Sequence, residues 1–177
     1  MYVFLSASLP ELIFGQAPAL TVAEFDELAA AVLPEKRVWE LAQLNLPLTA
    51  ATTDNLPLPI QRQFCAFERF LRTRISALRA KKLEWEYPVP ASEAFFTEVV
   101  RTLTEAAKIA NPVEREELVD RLRGSFLDEL ESGHNMDLEH LCVYRIRLQI
   151  LSGYRERDFA DGQKRFQTVL EQMSNRQ

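Results

Sequence analysis

The sequence predicts a mainly α protein, a multi-helix bundle with a short extended N-terminal segment, and three observations lead there. The chain has 177 residues, 47% hydrophobic and 27% charged, a balance that excludes a disordered chain, a collagen and a disulfide miniprotein. Only 5 glycines stand against 9 prolines, while Leu, Ala, Glu and Arg abound, so few residues serve β-turns and many favour helices. Apolar residues also recur at intervals of three and four between recognisable helix caps. The length suits a single helical domain, 1–177, or two subdomains joined near 45–59 or 86–92.

Residues 2–8, Tyr-Val-Phe-Leu-Ser-Ala-Ser, are rich in β-formers and are stopped by Leu9-Pro10, which predicts a short extended segment or edge strand. Thr21-Val22-Ala23-Glu24 is a capping box, in which the Thr21 hydroxyl accepts from the Glu24 N–H and the Glu24 carboxylate reaches back. A helix is expected from Val22 to about Leu33. Pro34 suits the first turn of a second short helix carrying Val38, Trp39 and Leu41. Residues 45–59 hold three prolines with Asn45, Thr52, Thr53, Asp54 and Asn55, the composition of a surface loop.

A long helix then carries Ile60, Phe64, Phe67, Leu71, Ile75 and Leu78 on one face and Arg62, Arg69, Arg72 and Arg79 on the other. Tyr87-Pro88-Val89-Pro90 ends this element. Ser92 caps a helix with the stripe Phe95, Phe96, Val99, Val100, Leu103, Ala107 and Ala110. The next begins at Asn111 as cap, with Pro112 in the first position and Glu114 in the third, and carries Leu118, Leu122, Phe126 and Leu130 at strict intervals of four. Gly133 supplies the left-handed stop. Asp137 caps a helix through Leu138, Leu141, Val143, Tyr144, Leu148 and Leu151, and Asp161 a last one through Phe166, Val169, Leu170 and Met173.

Catalytic and cofactor motifs are not found. Cys65 and Cys142 form no Cys-x-x-Cys pair and suit buried thiols in a reducing, cytoplasmic setting. His134 and His140 are the only histidines; on one helix they would point about 120° apart, and no second Cys/His cluster completes a zinc shell. They suit capping or hydrogen bonding instead. The acidic clusters Glu114-Glu116-Glu117 and Asp128-Glu129-Glu131 could furnish a carboxylate pair for acid/base work in a small-molecule enzyme spanning Glu114 to His140. The first cluster, however, lies where the helix dipole favours negative charge, and Glu117 with Arg121 suits a surface ion pair. Glycines at 15, 124, 133, 153 and 162 write neither a P-loop nor a dinucleotide fingerprint. The expectation is a protein without catalytic, metal or cofactor residues. No Lys or Arg precedes Lys36, against a secretory signal, and no apolar run is long enough to cross a bilayer.

Charge is uneven. Ile60 to Leu83 carries seven Lys/Arg against one Glu, +6, and the remainder 14 against 25, −11, which together give the net −5. A solvated helix face explains this, since Arg and Lys stems cover apolar surface; so does a docking surface for an acidic partner at Arg62, Arg69, Arg72 and Arg79. A nucleic-acid partner is not expected of a chain acidic overall.

Several segments carry a resemblance. They are Ser6-Ala7-Ser8-Leu9-Pro10 after the hydrophobic start, Asn111-Pro112-Val113-Glu114-Arg115-Glu116, Phe126-Leu127-Asp128-Glu129-Leu130-Glu131, Gly133-His134, Asp137-Leu138-Glu139, Leu148-Gln149-Ile150-Leu151 and Asp161-Gly162-Gln163-Lys164-Arg165-Phe166. With them the chain resembles an uncharacterised bacterial family whose members tend to be encoded among the subunits of V-type (A/V-type) rotary ATPases. The Asn-Pro-x-Glu helix opening followed by Asp-Leu is also loosely similar to the C (or d) subunit of those machines, an all-helical adaptor seating the central stalk on the rotor ring. The resemblance implies a non-catalytic subunit, connector or assembly factor linked to proton or sodium transport. Its partners would be ATPase subunits on the stalk or rotor side, met in the cytoplasm or at the inner membrane face, with membrane contact only through them. A free-standing helical adaptor for an acidic partner is the alternative.

Overall fold

The computed structural model describes residues 2–49, 55–87 and 97–155. Among them are seven helices and no strand: α1 (Tyr2–Ser8), α2 (Val22–Val32), α3 (Glu35–Ala42), α4 (Pro59–Lys82), α5 (Thr97–Ala106), α6 (Pro112–Glu131) and α7 (Leu138–Arg155). The fold is mainly α, a helical bundle. No helix among the described residues is long and apolar enough to cross a membrane.

α7 is the axis of the bundle and touches α1, α2, α3, α4 and α6, whereas α5 packs on α4 and α6. Its sequence explains the position. Leu138, Leu141, Cys142, Val143, Tyr144, Ile146, Leu148 and Leu151 are all buried, so the helix is apolar almost all round, the mark of a central element. All but Leu151 join Phe25, Phe64, Phe67, Leu71 and Leu127 in one hydrophobic cluster. Rings reinforce it: Phe67 stacks on Phe126 at 4.0 Å between centroids, and Phe25 on Tyr144 at 5.5 Å.

The local signals for caps appear where the sequence places them. Thr21 Oγ1 accepts from the Glu24 N–H at 3.2 Å, and the Thr21 N–H donates to Glu24 Oε2 at 2.7 Å. Asn111 Oδ1 accepts from the Val113 N–H at 3.0 Å, with Pro112 opening α6. Asp137 Oδ1 accepts from the His140 N–H at 2.8 Å. Gly133 has φ +90, the left-handed stop between α6 and α7.

Four expectations are corrected. Residues 2–8 are helical rather than extended: they present Leu5 to the cluster, where it is buried, and the docking of one side chain on α2 and α7 overrides weak β-propensity. α4 ends at Lys82, before any proline, in a Schellman motif: Trp85 N–H donates to Ala80 O at 3.0 Å, Glu84 N–H to Lys81 O at 3.3 Å, and Glu84 has φ 56. The 45–59 connection is less superficial than its composition suggests, because Leu48, Leu56 and Leu58 are buried in the main cluster. On α6 the buried positions are Val119, Asp120, Gly124 and Leu127, whereas Leu118, Leu122, Phe126 and Leu130 are half-buried. Steps of four advance about 40° past a full turn, so that row winds off the buried face.

Gly124 has a packing reason. A Cβ there would lie 3.0 Å from Phe14 Cε2 and 3.1 Å from Cζ, so the bare backbone is the notch that receives the Phe14 ring. The expected Ser92 cap, Phe95 and Phe96, and the closing helix from Asp161 lie outside the described residues.

Candidate functional site

The interior of the bundle holds charges that helical periodicity does not announce. Glu68 of α4 and Asp120 of α6 are each 2% exposed. Arg123 joins them, donating from Nε to Glu68 Oε2 at 2.8 Å, from Nη2 to Glu68 Oε1 at 2.9 Å and from Nη1 to Asp120 Oδ1 at 2.7 Å. Arg72 Nε adds a bond to Glu68 Oε1 at 3.1 Å, and the Tyr154 hydroxyl donates to Asp120 Oδ2 at 2.9 Å. Burial opposes charge on the Arg123 guanidinium, but its two carboxylates outweigh this and hold its pKa above the ordinary value. Two cations answer two anions, and the set ties α4, α6 and α7 together.

A second buried cation, Arg145, is 4% exposed in the middle of α7. It grips Asp26 of α2 bidentately at 2.8 and 3.0 Å and donates from Nη1 to Leu44 O at 2.7 Å. Gln149 extends the clamp by donating to Leu44 O and accepting from the Leu46 N–H. Neither network was legible as a motif, because the partners stand 55 and 119 positions apart. The available signal was a charge in an apolar register: Glu68 beside Phe67, and Arg145 between Tyr144 and Ile146 of α7.

The four arginines of the basic helix have unequal situations. Arg62 donates to Leu56 O and Pro57 O, and Arg72 donates from Nη1 to Leu48 O at 2.6 Å besides its bond to Glu68. Both therefore pin the connection before α4. Arg69 is exposed and engaged in a contact of its own. Arg79 is exposed and makes no side-chain bond among the described residues. From Arg62 to Arg79 the set spreads over about 25 Å and about 100° of helix surface.

The acidic clusters are likewise occupied. Glu114 Oε1 accepts from Asn111 Nδ2 at 2.9 Å, so it completes a cap. Asp128 and Glu131 both meet Arg147 at 2.6 Å, and Glu131 also meets His140 Nδ1 at 2.7 Å. Glu117 and Arg121 form no pair among the described residues. His134 and His140 do not share a helix: His134 lies in the turn before α7 and bonds Asp137 Oδ2 at 2.8 Å.

His134, Asp137 and Glu139 bring donor atoms within 4.8 Å of one another, all half-exposed. One Asp137 oxygen caps α7 and the other holds the His134 ring, and the helix N-terminus opposes a cation there. Burial disfavours the charged carboxylate, but the His140 N–H and the His134 ring outweigh it and hold Asp137 below the usual carboxylate range. The trio is built as a cap.

Cavities also lie among the described residues. One, of about 400 Å³, lies between the α1 end of the chain and α7 and is lined by Ser6, Phe14, His140, Tyr144 and Arg147. Tyr144 donates to Pro10 O at 2.9 Å, and its burial pushes the phenol up to about 12. Ser6 Oγ is buried without a hydrogen bond among the described residues, so the His140 ring does not activate it. Another, of about 320 Å³, opens between α4, α5 and α6 beside Arg79.

No protein-family model, curated protein or solved structure matches this chain.

Proposed function

We propose that this chain is a non-catalytic helical subunit, connector or assembly factor of a V-type rotary ATPase, working on the cytoplasmic side of the membrane, with ATP hydrolysis and ion transport belonging to other subunits. The observation that supports this most is where the resembling segments fall. Asn111 to Glu116 forms the cap of α6, Phe126 to Glu131 its end, Gly133 the turn, Asp137 to Glu139 the cap of α7, and Leu148 to Leu151 its buried core face. Five of the seven resembling segments thus fall on one α6–α7 hairpin, the unit on which the rest of the bundle packs. The carboxylates and histidines near it serve caps and ion pairs, the chemistry of a scaffold.

The partner surface we assign is the basic helix, with Arg69 and Arg79 contributing more than Arg62 and Arg72, whose guanidinium groups hold Leu48, Leu56 and Pro57. Its chemistry suits an acidic face on a stalk or rotor subunit. The same helix supports the second reading, a free-standing adaptor for an unrelated acidic protein.

Deletion separates the two. In cells that express the ATPase, loss of this chain is expected to lower assembled complex on native gels, or ATP-driven ion transport into inverted vesicles, several-fold, with restoration by the wild-type copy. Unchanged assembly and unchanged transport would leave the free-standing adaptor.

A further inference from the structure

The cleft between α4, α5 and α6 is lined by charged side chains of unequal situation, some paired and some not. Its volume of about 320 Å³ falls in the range of small-molecule sites. Its floor is apolar, with Ile75 and Leu78 from α4, Leu103 and Ala106 from α5 and Val119 from α6. Its rim is cationic, with Arg79 and Lys82 on one side and Arg115 on the other.

Among the described residues, Arg79, Lys82 and Arg115 meet no carboxylate. Arg79 has no side-chain bond among the described residues. Lys82 Nζ donates once, to Ala107 O at 2.6 Å, and Arg115 Nη2 once, to Ile109 O at 2.7 Å, so both keep donors in reserve. Glu116, the one carboxylate in the lining, is itself partnered, and Arg123 at the inner end is neutralised by Glu68 and Asp120. Three cations around an apolar floor, in a chain whose net charge is −5, form a local excess that selects the ligand. A neutral apolar solute would use the floor and ignore the rim, a polyanion would use the rim and ignore the floor, and an organic cation would be repelled.

We propose that this cleft binds a small amphipathic monocarboxylate, its apolar body on Leu78, Leu103 and Val119 and its carboxylate among Arg79, Lys82 and Arg115. At about 30 Å³ for one water in the liquid, the cleft equals about ten water volumes, room for a short acyl chain such as that of octanoate. The site shares Arg79 with the partner surface assigned to α4, but it rests on the lining residues and not on the ATPase assignment.

Octanoate is the probe, titrated into the purified full chain at low salt by calorimetry and by amide chemical shifts, with octanol and octylamine as neutral and cationic controls. The expected result is saturable one-to-one binding of octanoate with Kd about 0.1–1 mM, shifts confined to α4, α5 and α6, weaker octanol and no octylamine. Arg79→Glu, on an exposed side chain, is expected to weaken octanoate about tenfold through loss and reversal of one rim charge. Ala107→Phe, which fills the cleft from a half-exposed position, is expected to abolish binding with the helical circular dichroism intact. Equal binding of octanol and octanoate, or indifference to Arg79→Glu, would overturn the proposal by showing mere apolar partition. So would no saturation by octanoate at about 10 mM, or capture at the same rim of an acidic peptide that octanoate does not displace, which would make the rim a protein-docking surface.

Discussion

At the scale of single residues, the molecule depends on charges placed where periodicity calls for apolar side chains. Arg123 satisfies Glu68 and Asp120 together, so Arg123→Ala leaves two buried carboxylates short of a partner and is expected to cost about 3–5 kcal/mol in urea denaturation. Combining Arg123→Met with Glu68→Leu removes the cation and one of its two anions and is expected to recover part of that loss, Asp120 still lacking its cation. A double variant as unstable as Arg123→Ala would show that the cost is one of packing. Asp137 gives a pH-dependent counterpart. Its carboxyl is held below its unfolded value, so its contribution is complete above the ordinary carboxylate range and is lost as pH falls through the lowered folded value. Asp137→Ala is therefore expected to cost about 1 kcal/mol at pH 7, and its gap from wild type to narrow below about pH 4; a gap constant with pH would assign the loss to geometry alone. The caps at Thr21, Asn111 and Asp137 were legible because donor and acceptor lie within three positions. The long-range ion pairs were not, since spacing carries no record of which distant helix a charge will meet.

At the scale of elements, the lesson lies in α1 and α6. The β-formers of residues 2–8 have no strand to pair with among the described residues, and a seven-residue helix that buries Leu5 gains more than an unpaired extended segment. In α6 the row Leu118, Leu122, Phe126, Leu130 marks the helix, and its last three members pack against the core, while the fully buried positions Val119, Asp120, Gly124 and Leu127 lie beside it, with the Asp120–Arg123 pair at the centre of the contact. Gly124→Ala tests that geometry. Helix propensity alone favours alanine by about 1 kcal/mol, but the added methyl meets the Phe14 ring at 3.0 Å, so the substitution is expected to destabilise by about 1 kcal/mol in thermal melts. Adding Phe14→Leu is expected to return part of that. A stabilising Gly124→Ala would mean that the ring moves aside freely.

For the molecule as a whole, α7 sets the cooperativity. Cys142 lies on it, and burial pushes the thiol up to about 12, so native protein is expected to resist alkylation at Cys142 and to react only as fast as the bundle opens. Labelling much faster than unfolding would reveal that α7 loosens on its own. The helical class was legible because many capped, periodic segments agree with one another. Which helix is central was less so, since burial all round shows as an absence of pattern in α7 rather than as a pattern. The functional assignment rests on the α6–α7 hairpin and the basic α4, and native membranes test it most directly. The tagged chain is captured from cells shown to express the ATPase, washed at low and then moderate salt, and its companions are identified by mass spectrometry. Recovery of stalk and rotor subunits, diminishing as salt rises, is the result expected of an electrostatically docked connector; recovery of none of them from those cells would contradict the ATPase assignment.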